Sequence, residues 1–536
     1  MWRKMSKWHA PAFFLLVVVV VMGPLLAPGY ILNFDLAWGP NYPVSDMANN
    51  LWPLHILITT LDNVIPAWLV QKLVLGAIIF AAGFGMYRFI RAQKFADASA
   101  LIPYVAGLFY IFNPFFYDRF MAGQWLVMSG VALLPWVLLL LWRVFHESSI
   151  KRGIALGVVA GAMTILSIHT VMMLVIVVVV FGAFHLRKVK TWMLPGLVAL
   201  GVWLVLNSLW LVPALGGTNQ TTEQIDTYAS SQLEAFKTNE TIADNVPLST
   251  LLLHGMWTET QGRSTLPAGS PLFWVGIIPL LAVIVIGGIA IIRRRDKLGV
   301  GLLIVGGVGW VLAMGVGWIG TSGLTHFLVE HVPFYGGYRE PHKWLVLLVV
   351  LYGYALALGA SVLMRRYKTH AGAIGFALLL LPIVMTPQLL FGASGQLRSV
   401  DYPSGWYALQ AELNDRNIQG PILVMPWRMY LYADFAGRTV MNPARFFFSQ
   451  SVISGNDPQI AGVSVVERGA VEQTVNTDIL PNAAMIQDAG TLLKRVGVRY
   501  VILLKLADWE QYSWLNRQPD LNRVYENSDV ILYEVK

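Results

Sequence analysis

Ionisable residues are sparse in this sequence, and those whose types and spacing suit chemistry fall in a few short stretches. GYILNFDLAWGP (29–40) holds Asp35, and Asp46 follows it. NPFFYDRFMAGQW (113–125) offers Asp118, Arg119 and Gln124, SIHT (167–170) holds His169, and YREPHKW (338–344) presents Arg339, Glu340, His342 and Lys343. A carboxylate within hydrogen-bond reach of a hydroxyl can take its proton while the oxygen attacks an electrophile. An arginine, a histidine and a lysine beside a helix start form an anion site, because the helix dipole and free N–H groups add to their charge. Pro341 biases Glu340 away from helical geometry and suits the first turn of the helix that follows.

Each stretch also has an ordinary reading. A lone Asp in a loop is commonly a solvated residue or a helix cap. Arg and Lys at a membrane edge contact lipid headgroups. Asp118 and Arg119 read as a local ion pair, and His169 as a hydrogen-bonding residue.

These residues must be held by an unusual chain. Of its 536 residues 56% are hydrophobic and 13% charged, where a soluble domain carries roughly 25% charged. Crossing the hydrocarbon takes about 20 apolar residues per helix, and many such runs are present, so the sequence is read as an integral membrane protein. Cysteine is absent, which excludes disulfides, thiolate zinc sites and a cysteine nucleophile. The net charge of +8 lies in short clusters between apolar runs, which reads as membrane topology and not as a nucleic-acid surface.

Eleven spans are expected, near 11–30, 67–87, 99–114, 125–142, 153–169, 171–185, 193–213, 271–292, 298–318, 343–363 and 371–391. Basic clusters precede the first and follow the second, fourth, sixth, eighth and tenth. Alternate connections are therefore basic, which predicts a cytoplasmic N-terminus and an extracytoplasmic C-terminus. The transmembrane domain is placed at 1–391, with long outer loops at 31–66, 214–270 and 319–342. Within the first, NNLWPLHILITTLDNVI reads as an amphipathic stretch along the interface. Residues 392–536 change character. PILVMPW, VRYVILLK and VILYEVK read as strands, and SGWYALQAELNDRN and AGTLLKRVG as helices, so a soluble extracytoplasmic α/β domain is expected.

The expected spans hold almost no ionisable groups, with His169 at the outer end of the fifth as the main exception. Ion-coupled transporters place such groups near mid-membrane, so this pattern favours an enzyme whose polar groups gather at the outer face. A phosphate carried on a lipid would reach YREPHKW from that direction.

The layout resembles the GT-C class of polytopic membrane glycosyltransferases, in particular YfhO-like proteins and the membrane part of arabinofuranosyltransferases. The resemblance is carried by PGYILNFDLAWGP after the first span and FNPFFYDRFMAGQWLVMSGVALLPW across the third and fourth. YREPHKW before a late span and the ending LLKRVGVRYVILLK…LNRVYENSDVILYEVK add to it. It implies an inverting enzyme that moves a sugar from a polyprenyl-phosphate donor to a cell-envelope glycan, lipid or protein acceptor outside the cytoplasm. In that class an acid of the first outer loop is the general base. The role falls on Asp35, with Asp46 as substitute; Arg339, His342 and Lys343 would hold the donor phosphate, and Glu340, Arg119, Gln124 and His169 would contact substrate. Paired acids are common in that loop in the class, whereas Asp35 stands between Phe34 and Leu36. Hard cations prefer several oxygen ligands, so a divalent metal such as Mg2+ or Mn2+ stays open without support from ligand clustering, and no cofactor is firmly implied. A lipid or glycolipid transporter and a scaffold subunit of an envelope-assembly complex are the alternatives. The first needs a continuous polar path between helices; the second needs residues 392–536 but not Asp35.

Overall fold

The computed structural model describes residues 8–45, 47–216, 233–457 and 469–536. Asp46 and residues 217–232 of the expected 214–270 loop lie outside the described residues. The chain divides into two compact units, the first of residues 1–23, 46–53 and 73–396 and the second of residues 24–45, 54–72 and 397–536.

The first unit is helical. Among the described residues eight stretches are long and apolar enough to cross a membrane, among them His9–Leu26, Ala67–Arg91, Trp125–His146, Pro271–Arg294, Lys297–Gly317 and Pro341–Arg366. The expected spans at 171–185 and 193–213 fall in one 46-residue stretch, Thr170–Leu215, with a short 3-10 turn at Leu186–Lys188 between its two helices. At about 20 residues per crossing, that length suffices for two passes.

The expected span at 99–114 differs. Its helix, Ile102–Ile111, has 10 residues, a rise of about 15 Å against a hydrocarbon core of about 30 Å. Asn113 ends it by accepting a hydrogen bond from the Phe116 N–H at 3.0 Å, which caps a second helix, Pro114–Met121, with Pro at its start. The expected loop 319–342 begins as a helix, Ile319–His331.

Burial distinguishes the centre of the unit from its rim. In an 18-residue apolar window of Pro341–Arg366 94% of the residues are buried, whereas in one of Thr170–Leu215 only 22% are, and that stretch exposes Val205, Val212 and Leu215. An apolar exposed rim is what a lipid solvent requires. Small residues allow close approach at the centre. A Cβ on Gly287, in Pro271–Arg294, would stand 1.8 Å from the Ala355 carbonyl oxygen of the central helix.

The second unit is α/β. Its five-stranded sheet has the order β6 (Val452–Ile453), β3 (Ile422–Met425), β7 (Tyr500–Leu504), β9 (Val530–Val535), β8 (Leu521–Glu526). β3 is parallel to β6 and β7, while β9 is antiparallel to β7 and β8. The three strands expected from β-branched runs form its centre, and the expected helices form at Ser404–Asp415 and Ala489–Arg495. Leu423, Met425, Val501, Leu503 and Ile531 pack there against Ala489, Leu493, Trp514 and Leu515. A hairpin, β4 (Tyr430–Ala433) with β5 (Arg438–Met441), and the pair β1 (Tyr30–Ile31) with β2 (Ser399–Val400) complete the unit. The Gln71 amide extends β1: it accepts from the Ile31 N–H at 2.9 Å and donates to the Ile31 carbonyl at 2.7 Å.

Candidate functional site

In the helical unit the Pro114–Met121 helix is buried along its whole length, and it delivers Arg119 into the interior with no solvent exposure. An isolated buried guanidinium is costly, and its side-chain hydrogen-bond partners are all candidates from the sequence. Arg119 Nη1 donates to Glu340 Oε2 at 2.9 Å and also to the Gln124 side-chain oxygen. Arg119 Nη2 lies 3.0 Å from His342 Nδ1. Gln124 Nε2 donates to Glu340 Oε2 at 3.2 Å, and the Lys343 ammonium stands 3.6 Å from the same oxygen. Lys343 Nζ reaches His169 Nε2 at 3.1 Å, and the Tyr338 hydroxyl donates to the His169 carbonyl. Arg339 sits over the Phe236 ring, 5.2 Å from its centre.

YREPHKW, NPFFYDRFMAGQW and SIHT therefore meet in one network. Both histidines face cations that can only donate, so His342 Nδ1 and His169 Nε2 each present a lone pair, and both rings are neutral. His342 enters as a neutral group with a buried Nε2 that has no hydrogen-bond partner, not as the cation its position in the sequence suggests. Burial alone would raise the Glu340 carboxyl, but the charges of Lys343, Arg119 and Arg339 outweigh it and hold it well below the ordinary range. Around this carboxylate the network fixes three cations against one anion, a surplus suited to a phosphate.

The expected Asp118–Arg119 ion pair is not formed: Arg119 bonds Glu340 instead. Neighbours in a helix point to different faces, and Asp118 turns toward the 233–270 segment. One ligand atom each from Asp118, His254 and Glu259 lies within 4.8 Å of the others. His254 Nδ1 contacts Glu259 Oε1 at 3.0 Å, and Glu259 Oε2 accepts from the Gly255 N–H at 2.9 Å and from the Thr241 hydroxyl. Burial and the Glu259 carboxylate raise Asp118 well above the ordinary value, with Arg119 offsetting part of the shift. For Glu259, burial acts upward and is outweighed by His254 and Asp118, which lower it.

Nothing in the sequence alone singles out His254 and Glu259. They sit five apart, His254 in a loop and Glu259 opening a short 3-10 turn, within a segment whose Thr, Asn and Gln content marks it only as polar.

Asp35 belongs to the second unit, half-buried among buried neighbours. Phe34 takes a positive φ of 45°, and Asn33 and Leu36 close a tight turn on each other. The turn docks on the β4–β5 hairpin: the Phe34 N–H donates to the Thr439 carbonyl at 3.0 Å, and the Met441 N–H donates to the Phe34 carbonyl at 2.8 Å. The Tyr430 hydroxyl donates to Asp35 Oδ1 at 2.6 Å, and its ring stacks on Phe34. Arg438 donates to the Asn33 side-chain oxygen at 3.0 Å. Asp35 is thus held by a local frame and not left solvated. A separate cavity of about 450 Å³, lined by Trp142, His146, His185, Arg294, Lys297 and Tyr354 among others, contains none of the expected site residues.

The fold is similar to that of the mycobacterial arabinofuranosyltransferase AftD, with a TM-score of 0.66 and 17% identity over 99% of this chain and 40% of that one. The chain thus spans less than half the length of that enzyme. It is also similar to ArnT from Cupriavidus metallidurans, solved bound to undecaprenyl phosphate, with a TM-score of 0.54 and 13% identity over 98% of both chains. No family model and no curated protein matches. The chain has a GT-C-like membrane glycosyltransferase fold and is a multi-pass membrane protein.

Proposed function

We propose that the chain transfers a sugar from a polyprenyl-phosphate-linked donor to a cell-envelope glycan, lipid or protein acceptor on the extracytoplasmic side, with inversion. The observation that carries this reading is the buried network in which Arg119, Arg339 and Lys343 surround the single carboxylate of Glu340. A surplus of fixed positive charge stabilises a leaving phosphate as its charge develops. His342 and Gln124 contribute neutral hydrogen bonds there. That ArnT was solved with undecaprenyl phosphate supports the choice of lipid phosphate.

In the proposed reaction the acceptor oxygen bonds to the anomeric carbon as the bond from that carbon to the phosphate oxygen breaks. The phosphate leaves with the electron pair, and the hydroxyl proton passes to a carboxylate base. Asp35 is assigned that role, with Asp46 as the substitute. Residues 392–536 are proposed to lie outside the cytoplasm.

The test is transfer from a panel of radiolabelled polyprenyl-phosphate sugars to membrane acceptors, comparing wild type with Asp35→Asn at matched expression. Transfer by wild type that is lost in the variant, with donor binding retained, supports the reading. Equal transfer moves the base elsewhere. Movement of intact donor lipid across the membrane without transfer replaces the reading with a transporter.

A further inference from the structure

We propose that the cavity at the basic end of the helical unit binds the headgroup and upper chain of one anionic phospholipid. The cavity measures about 450 Å³, within the range of about 300–1,000 Å³ typical of ligand sites. It is enclosed by the last turns of Trp125–His146, the end of Thr170–Phe184, the junction between Pro271–Arg294 and Lys297–Met314, the middle of Leu345–Arg366 and the 3-10 turn Lys94–Ala98.

Its lining changes from charged to apolar with depth. Lys94, Arg294 and Lys297 are exposed at its rim, and among the described residues none of them belongs to an ion pair. Leu138 and Leu141 line it further in and are buried. At about 1.5 Å per residue, Leu138 lies about 12 Å along the helix axis from His146 at the rim. Asp296, the one lining carboxylate among the described residues, already accepts a hydrogen bond from the Tyr354 hydroxyl. The two lining histidines are held in place. His146 Nδ1 donates to the Trp142 carbonyl and His185 Nδ1 to the Phe181 carbonyl, each at 2.8 Å. Their rings stack on Trp142 and Phe145, with centres 4.4 Å apart in both pairs.

A solvated basic face needs no opening behind it, and a cavity for an uncharged apolar ligand needs no cations. Cations over an apolar interior match an anion carried on a hydrocarbon stem. Basic pockets between membrane helices on the cytoplasmic side suit anionic lipid headgroups. In the proposed orientation this end of the helices meets the cytoplasmic leaflet, whose surface is negative; only the choice of leaflet rests on that orientation. The cavity is distinct from the Arg119–Glu340 network. Lys343 of the network and Tyr354 of the cavity share the segment Pro341–Arg366 and lie about 16 Å apart along its axis.

The experiment uses the full-length protein, delipidated in detergent and re-equilibrated with phosphatidylglycerol or phosphatidylcholine, with inorganic phosphate as competitor. Bound lipid per chain and Tm are measured. The expected result is one phosphatidylglycerol retained per chain with a raised Tm, little phosphatidylcholine, and no displacement by inorganic phosphate. Affinity should fall by about tenfold or more in Lys94→Gln/Arg294→Gln/Lys297→Gln, whose altered positions are exposed. Arg187→Gln/Lys190→Gln/Arg366→Gln removes as much charge from exposed positions outside the cavity and should leave affinity near wild type. Ala92→Trp, which fills the cavity with its cations intact, should abolish retention. Equal loss in the two triple variants overturns the site in favour of general surface attraction. Equal retention of both lipids, or displacement by inorganic phosphate, overturns the anionic lipid as occupant. None of these positions belongs to the proposed donor site, so failure of this inference and failure of the glycosyltransferase reading are separable.

Discussion

Glu340 shows how a single side chain ties the candidate site to the stability of the helical unit. Its carboxylate neutralises Arg119, which has no exposure, and Lys343. Removing one partner of a buried pair leaves the other uncompensated, a loss of about 3–5 kcal/mol. Glu340→Gln is accordingly expected to lower the thermal midpoint of the detergent-solubilised protein well below that of wild type. Because Glu340 is held below its ordinary value, its contribution is complete above pH about 4.3. It fades as the pH falls below that value toward the folded-state pKa. Thermal midpoints measured between pH about 3 and about 6 should therefore fall more steeply for wild type than for the variant. Parallel curves would mean that Glu340 does not carry the charge assigned to it.

At the scale of elements, the contact between Pro271–Arg294 and the central helix rests on Gly287, where a Cβ would meet the Ala355 carbonyl at 1.8 Å; the adjacent Gly288 has nothing within 4 Å. A backbone obstacle cannot rotate away, so Gly287→Leu is expected to cost about 1–3 kcal/mol or more, whereas Gly288→Leu should behave as wild type. Equal stability of both variants in detergent would contradict the packing described. Such contacts leave little trace in a sequence, since both residues are glycines in one apolar run. What was legible was periodicity and composition: β-branched runs gave the central strands β3, β7 and β9, and apolar length gave most of the membrane helices. The helix that restarts at Asn113–Pro114 was hidden because PFFYDRFM mixes aromatic residues with Asp118 and Arg119 and lies between two expected spans. The charged stretches were visible as candidates, but not their pairing. Arg119 was read with its neighbour Asp118, although helix geometry turns the two apart and only tertiary packing brings Glu340 to Arg119. His254 and Glu259 carried no periodic signal at all.

For the molecule as a whole, the absence of cysteine makes the proposed orientation directly measurable. Lys151 and Asp434 are both exposed. In intact cells a membrane-impermeant maleimide should label Asp434→Cys and leave Lys151→Cys unlabelled until the membrane is opened; the reverse pattern would invert the topology. The central claim is that the cationic network of the helical unit takes a lipid-linked phosphate. Its most direct test is equilibrium binding of radiolabelled polyprenyl phosphate to the purified protein, with unphosphorylated polyprenol as competitor. The account predicts saturable binding that polyprenol does not displace and that weakens by about tenfold, or about 1.4 kcal/mol, in Lys343→Gln. Binding that polyprenol displaces equally well, or that Lys343→Gln leaves unchanged, would contradict it.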